Sequence, residues 1–177
     1  MRKNKMAITI LGCIGVFLIA ALILVPAAQA GAETVKYNYT TNHTKVEFVP
    51  IPDMKGHIAG IFERRGVAIF ENEVAALTIR GTFDKQKGIV SFQAYNQISF
   101  EDGSTITQKI QGTLSAPPSE KLRLYEGKGE YIMGTGRFEG IKGTITISGR
   151  EITPLTKDDI AAYNWIEVTG TYTLPKK

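Results

Sequence analysis

The sequence predicts an all-β protein, an antiparallel closed β-barrel of eight strands. Beyond Val35 the chain is a succession of short segments rich in Thr, Ile, Val, Phe and Tyr, separated by Gly, Pro, Asn or Asp. Apolar and polar residues alternate within these segments, and the spacing of three and four that marks an amphipathic helix is almost absent. The connections are short and carry glycine where a hairpin needs a positive φ.

Nine segments have strand character, and the second and third can join as one bent strand, which gives eight. In chain order they are 35–49, 57–63, 66–71, 75–83, 88–100, 104–114, 122–133, 141–150 and 163–174. Parallel neighbours need long crossover connections, and the sequence offers none. The short polar connections at 84–88 and 101–104 therefore predict antiparallel hairpins.

Alternation predicts which face of each strand is buried, because successive side chains point to opposite sides of a sheet. The predicted inward residues are Leu77, Ile79 and Phe83, then Val90, Phe92, Ala94, Ile98 and Phe100, then Ile106, Ile110 and Leu114, then Ile141, Ile145 and Ile147, and finally Ile166, Val168, Tyr172 and Leu174. The same register puts Tyr95, Tyr125 and Tyr131 on the wet face. Strands with one apolar face close into a barrel or stack as a sandwich, and the sandwich is the alternative here.

The first 30 residues have the features of an export signal. Arg2, Lys3 and Lys5 precede an uncharged run from Met6 to Val25, and Ala28–Ala30 has the small-x-small pattern of a cleavage site. We expect cleavage after Ala30, a periplasmic or secreted protein, and a single domain over 31–177. The alternative is an uncleaved membrane anchor, because about 20 apolar residues span a bilayer.

Composition excludes several function classes. Residues 31–177 keep 18 of the 21 basic residues and all 17 acidic ones, so their net charge is +1, which argues against a nucleic-acid partner. The only cysteine, Cys13, lies in the export segment, so no disulfide or thiolate is expected beyond it. His43 and His57 are the only histidines and lack metal-ligand spacing, so neither a metal nor a cofactor is expected.

The glycine-rich stretch GTGRFEG at 134–140 is predicted to be a corner between two strands. A dinucleotide fingerprint needs a third glycine where Glu139 stands, and a phosphate loop needs a final Gly-Lys-Ser/Thr that is absent. The alternation from Ile141 to Ile147 continues as a strand, so no helix dipole is available to bind a phosphate. The structural hairpin residues are Gly134, Gly136, Phe138, Gly140 and Gly143.

This hairpin, with SFEDGS before it and VTGTYTL after it, resembles the allene oxide cyclase and dirigent-like barrels over about Ile98 to Tyr172. The resemblance implies an eight-stranded barrel with an apolar lumen. In plant members the lumen binds oxidised fatty acids or phenoxy radicals, often in trimers, which implies a homotrimer here. The segment Val67–Asn72 is similar to a cyclase segment that carries an asparagine.

Four polar residues are candidates for ligand binding in the lumen. Asn96, Gln108 and Asn72 interrupt apolar faces, so their amides can orient one oxygen of an apolar ligand, or else meet water or each other. Glu63, if it points inward, is a candidate general base with a raised pKa; the alternative is a solvated turn before Gly66. No catalytic residue is assigned.

Three functions remain open from the sequence. The first is an exported barrel that binds a small hydrophobic molecule in its lumen. The second is a cyclase or isomerase acting on an oxidised lipid or phenolic substrate, polarised by Glu63, Asn72 or Asn96. The third is a structural module with a filled barrel, whose outer tyrosines form an oligomer.

Overall fold

The computed structural model describes residues 31–115, 122–152 and 163–176, so the predicted export segment lies outside the described residues. The chain forms eight strands: β1 Glu33–Pro50, β2 Ile58–Phe70, β3 Glu73–Gln86, β4 Ile89–Ser99, β5 Thr105–Ser115, β6 Leu122–Thr135, β7 Lys142–Ile152 and β8 Tyr163–Thr173. The two segments 57–63 and 66–71 are one continuous strand, β2.

The strands form a closed barrel in sequential order, and β8 pairs with β1 to complete it. Every neighbouring pair is antiparallel. The predicted eight-stranded antiparallel barrel is therefore confirmed, and the sandwich is excluded. Among the described residues there is no helix of a length and apolarity that would span a membrane.

Two-residue turns join β2 to β3 and β3 to β4. Glu71 and Asn72 have φ angles of 49° and 68°, and Lys87 and Gly88 have φ angles of 50° and 84°. Positive φ at both central residues is the geometry of a hairpin turn whose twist matches its strands. These turns explain the short connections that the sequence shows.

The predicted inward faces of β3, β4, β5, β7 and β8 are confirmed, because their apolar residues are buried in the core or half-buried around the lumen. The prediction for β6 is wrong. Its inward positions are Arg123, Tyr125, Gly127, Gly129 and Tyr131, and Tyr131 is buried in the core. Because two of these positions are glycine, the strand has no apolar alternation from which its inward face could be read.

Aromatic side chains plug one end of the lumen, which we call the closed end. Phe70 lies at their centre, with ring centroids of Tyr37, Phe100, Phe138 and Tyr172 between 5.1 and 6.5 Å from its own. The other end, which we call the open end, is where β1 ends and β2 begins.

The glycine-rich corner between β6 and β7 completes the plug. Gly136–Phe138 form one 3-10 turn, and Gly136 and Gly140 have φ angles of 61° and 76° that favour glycine. The turn buries Phe138, while Arg137 places its guanidinium 4.6 Å from the Phe100 ring centroid. The predicted corner between two strands is present, and its phenylalanine closes the barrel.

Candidate functional site

The open half of the lumen contains a cavity of about 280 Å³. Its floor lies on the packed core, and its rim includes Phe48, whose side chain is 64% exposed. A bulge in β1 shapes this region, because the register with β2 shifts between His43 and Lys45. The shift moves the inward set from odd to even positions, so that His43, Val46 and Phe48 all line the cavity.

The cavity has an apolar side formed mainly by β3, β4 and β5. This side consists of Ile79, Phe83, Val90, Phe92, Ala94, Ile110 and Leu114. The Phe83 ring lies over Gly60 of β2, where an added Cβ would meet ring atoms at 2.6 Å. The Phe62 ring lies over Gly81 of β3 in the same way, at 2.8 Å. These glycines let the phenyl rings lie against the barrel wall, which leaves the lumen open.

The opposite side of the cavity carries a buried ion pair between Arg64 of β2 and Glu151 of β7. The guanidinium Nη1 lies 3.0 Å from Glu151 Oε2, and both side chains are at most 3% exposed. The Tyr125 hydroxyl accepts a hydrogen bond from Arg64 at 2.9 Å and donates one to Glu151 at 2.8 Å. A buried charge pair is tolerated only when further hydrogen bonds satisfy its remaining atoms, as Tyr125 does here.

Strands β1 and β8 supply further partners around Arg64. Its Nε donates to Thr41 Oγ1 at 3.0 Å, and the Asn164 Oδ1 accepts from both the amide and the hydroxyl of Thr41. His43 Nε2 lies 3.0 Å from Arg64 Nη1. Since a guanidinium only donates, this nitrogen accepts and the imidazole is neutral. Burial, with the Arg64 charge second, lowers the pKa of His43 to about 4.

Two tyrosines of β1 cross the lumen and meet the amides that the sequence singled out. Gln108 Nε2 donates to the Tyr37 hydroxyl at 2.7 Å, and Asn96 lines the cavity together with Tyr39. Burial raises the pKa of Tyr39 to about 12, against the opposing effects of Asn96 and the Arg64 charge. Asn96 lines the cavity, whereas Gln108 is buried below it and does not.

The other two predicted site residues do not face the lumen. Asn72 is exposed in the β2–β3 turn, where its positive φ suits asparagine, so it occupies the turn for backbone reasons. Glu63 lies on the outer wall and pairs with Arg65 and Arg80 at 3.0 and 2.9 Å. Hydrogen bonds from Arg80, Thr44 and Arg65 lower the pKa of Glu63, which is opposite to the raised value expected for an inward general base.

The most polar part of the site was not predicted from the sequence. Alternation placed Arg64 on the opposite side from Glu63 and Arg65, so an inward arginine was a readable signal. Glu151 lies in β7 just beyond the predicted strand 141–150, whose inward face was recognised from its isoleucines. The inward direction of Tyr125 had no local signal, because the next inward positions of β6 are glycines and carry no side chain that would mark the face. Among the described residues there is no group of metal-ligating side chains that could hold a metal ion.

The fold and the site together define a closed eight-stranded antiparallel barrel with one plugged end and a half-polar cavity at the other. Solved structures of two bacterial proteins of unknown function share this fold. A conserved protein from Rhodopseudomonas palustris matches with a TM-score of 0.53 and 12% identity, over 80% of this chain and 97% of its own. A protein from Clostridium acetobutylicum ATCC 824 matches with a TM-score of 0.53 and 12% identity, over 81% and 99%.

A pterocarpan synthase dirigent protein is also among the structural matches, with a TM-score of 0.42 and 12% identity, over 97% of this chain and 98% of its own. The matches thus include one dirigent protein, and dirigent-like barrels are a family that the sequence resembles. No protein-family model and no curated protein matches the chain. At these identities the comparisons show the fold alone.

Proposed function

We propose that this barrel is an exported binding protein that holds one small hydrophobic molecule in the open half of its lumen. The observation that carries the proposal is the cavity of about 280 Å³, with its division into an apolar and a polar side. At about 280 Å³ the cavity lies just below the range of about 300–1,000 Å³ that is typical of ligand pockets, so it suits a single molecule at the small end of that range. Export is proposed from the basic, apolar and small-x-small pattern of the first 30 residues.

The polar side supports a ligand that carries at least one oxygen. Apolar packing of similar volume is often as stable as a buried ion pair, so the Arg64–Glu151 pair is weak evidence of a stabilising role. Placed beside a cavity, the pair and the Tyr125 hydroxyl form a fixed set of dipoles. Such a set orients one polar group of a ligand whose remainder lies against Phe62, Phe83 and Phe92.

Filling the cavity is expected to abolish binding. Ala94 is buried and lines the cavity, so Ala94→Phe puts a phenyl ring where the ligand lies. We expect the neutral dye N-phenyl-1-naphthylamine to fluoresce on binding the unmodified protein, and Ala94→Phe to weaken its affinity at least about tenfold because the dye and the added ring compete for the same space. Fluorescence titration measures this difference.

Gln93→Phe is the matched control, because Gln93 is the exposed neighbour on the same strand. This variant should bind the dye as the unmodified protein does. Val90→Trp fills the cavity from a half-buried position and serves as a second test if Ala94→Phe does not fold. Equal dye affinity in folded Ala94→Phe, Val90→Trp and Gln93→Phe variants would contradict lumenal binding.

A second candidate function is that of a cyclase or isomerase in the same cavity. The observation that favours it is the Tyr125 hydroxyl, held between Arg64 and Glu151 at the cavity wall. Of the three residues first proposed to polarise a substrate, only Asn96 reaches the cavity. In any turnover assay, Tyr125→Phe should lower kcat with little change in KM; an unchanged kcat would argue for binding alone.

The third function, a filled structural barrel, fits the molecule less well. The closed half of the lumen is filled by aromatic side chains, and the open half contains the cavity. The predicted homotrimer stays a prediction, and light scattering of the processed chain measures it.

A further inference from the structure

The connection between β1 and β2 is fastened to β3 by His57. Its Nδ1 lies 2.5 Å from Asp53 Oδ1 within the connection, and its Nε2 lies 2.9 Å from Asp84 Oδ2 on β3. The His57 side chain is 7% exposed, although both carboxylates are half-exposed. We call Asp53, His57, Asp84 and Gln86 the clasp.

The clasp lies beside the rim of the cavity on the outer face of β3, because Asp84 and Gln86 alternate with Phe83 and Lys85, which line the cavity. Residues on either side of it line the cavity, since Lys85 follows Asp84 along β3 and Phe48 precedes the connection along β1. Phe48 also packs edge-to-face on Phe83, with ring centroids 5.7 Å apart. A connection held against β3 therefore keeps the Phe48 side of the rim against the Phe83 side.

The two contacts of His57 need two ring protons. A carboxylate only accepts hydrogen bonds, so Asp53 and Asp84 are both satisfied when Nδ1 and Nε2 both donate, as in the imidazolium cation. A neutral imidazole has one N–H, and its other nitrogen would face a carboxylate with no proton between them. The Gln86 amide lies 3.2 Å from Nε2 and supplies a donor for that nitrogen. The ring thus has two sets of partners, one for each protonation state.

We propose that protonation of His57 controls how fast ligand exchanges between the cavity and solvent. The protonated clasp holds the β1–β2 connection to Asp84, and loss of the proton releases this contact. The proposal rests on the proposed function, because it concerns access to the same cavity. The clasp would then act as a pH-dependent gate to the cavity.

The direction of the pH dependence follows from the clasp contacts. Hydrogen bonds to Asp84 and then to Asp53 raise the pKa of His57, while the hydrogen bond from His57 lowers the pKa of Asp53. Among the described residues these two carboxylates are the charged groups in contact with the ring. The clasp is fully formed below about pH 6.5, the usual pKa of histidine, and is lost as pH rises through the raised value.

Stopped-flow exchange of N-phenyl-1-naphthylamine across pH 6 to 9 tests the gate. We expect both the association and dissociation rates to rise with pH by at least about fivefold, the effect of removing one hydrogen bond of ordinary strength from the barrier to opening. The equilibrium affinity should change little, because a gate speeds entry and exit alike. His57→Gln should be fast and independent of pH, and Asp84→Asn should shift the transition to lower pH.

Glu47→Gln is the control, because Glu47 is an outward carboxylate of β1 that pairs with Lys45 and does not touch His57. A second readout needs no ligand: the Ile51 amide donates to the His57 carbonyl, so its hydrogen exchange reports the clasp. At pH 6, Ile51 should exchange more slowly in the unmodified protein than in His57→Gln, with the difference vanishing at high pH.

The outcomes separate the gate from the binding function. If the dye does not bind at any pH, the proposed function fails and Ile51 exchange still tests the clasp. If the dye binds with rates that are independent of pH and equal in His57→Gln, the gate is overturned while binding stands. Equal Ile51 protection in the two proteins at pH 6 also overturns the gate.

Discussion

Replacing Glu151 with glutamine is expected to destabilise the barrel by about 3–5 kcal/mol. The substitution keeps the shape of the side chain and removes its charge, so the Arg64 guanidinium stays buried without its counter-ion at 3.0 Å. The Tyr125 hydroxyl also loses the carboxylate to which it donates. Urea unfolding followed by circular dichroism measures the change in free energy of unfolding.

Glu63→Gln is the matched control for this prediction. Glu63 pairs with two arginines on the outer wall, and these partners are about 60% exposed, so the loss should be much smaller than at Glu151 because solvent screens the pairs. The double replacement Arg64→Met with Glu151→Leu should recover most of the stability, because no charge is then buried. If Glu151→Gln costs no more than Glu63→Gln, the buried Arg64 charge does not depend on Glu151 as its counter-ion.

Replacing Phe70 with alanine is expected to cost about 3–5 kcal/mol. Phe70 is 1% exposed and contacts four other aromatic rings at the closed end, so truncation removes buried apolar surface and leaves a void. Neighbouring strands pair along their length, which limits how far the barrel can collapse onto the void. Thermal and urea unfolding both report the loss.

Phe48→Ala is the control for the aromatic plug, because the same truncation is made at a 64% exposed position on the rim. We expect its cost to be about 1 kcal/mol or less, of the order of the single ring contact with Phe83. A cost at Phe70 no larger than at Phe48 would show that the closed end is not the stabilising core.

Strands whose isoleucines and other apolar residues share one face were assigned correctly. In β5, Ile106, Ile110 and Leu114 fall on one face and threonine and lysine on the other, so a single strand already contains the information about its inward face. The hairpin at Lys87 and Gly88 was likewise predicted from the residues of the connection itself. Asn96 also followed from this rule, because it shares a face with Ala94 and Ile98.

Predictions failed where one strand alone was insufficient. The tyrosines of β6 were assigned outward because inward glycines beside them carry no side chain to reveal the face. Asn72 was assigned to an apolar face just past Phe70, but the residue after Phe70 starts a two-residue turn. Whether Glu63 points inward was left undecided, because the answer depends on whether β2 continues as one strand through Gly66.

The sequence by itself determined the all-β class, the order of the strands and most of the inward apolar faces, because these depend on a period of two and on short-range turn chemistry. The tertiary structure alone decided that Arg64 meets Glu151, 87 residues later in the chain, and that Tyr37 and Tyr39 cross the lumen to Gln108 and Asn96. Closing the barrel sets these distances, since it brings β8 to β1 and faces β1 toward β4 and β5. The cavity likewise depends on phenyl rings that lie against glycines of neighbouring strands, a relation between strands that no single segment contains.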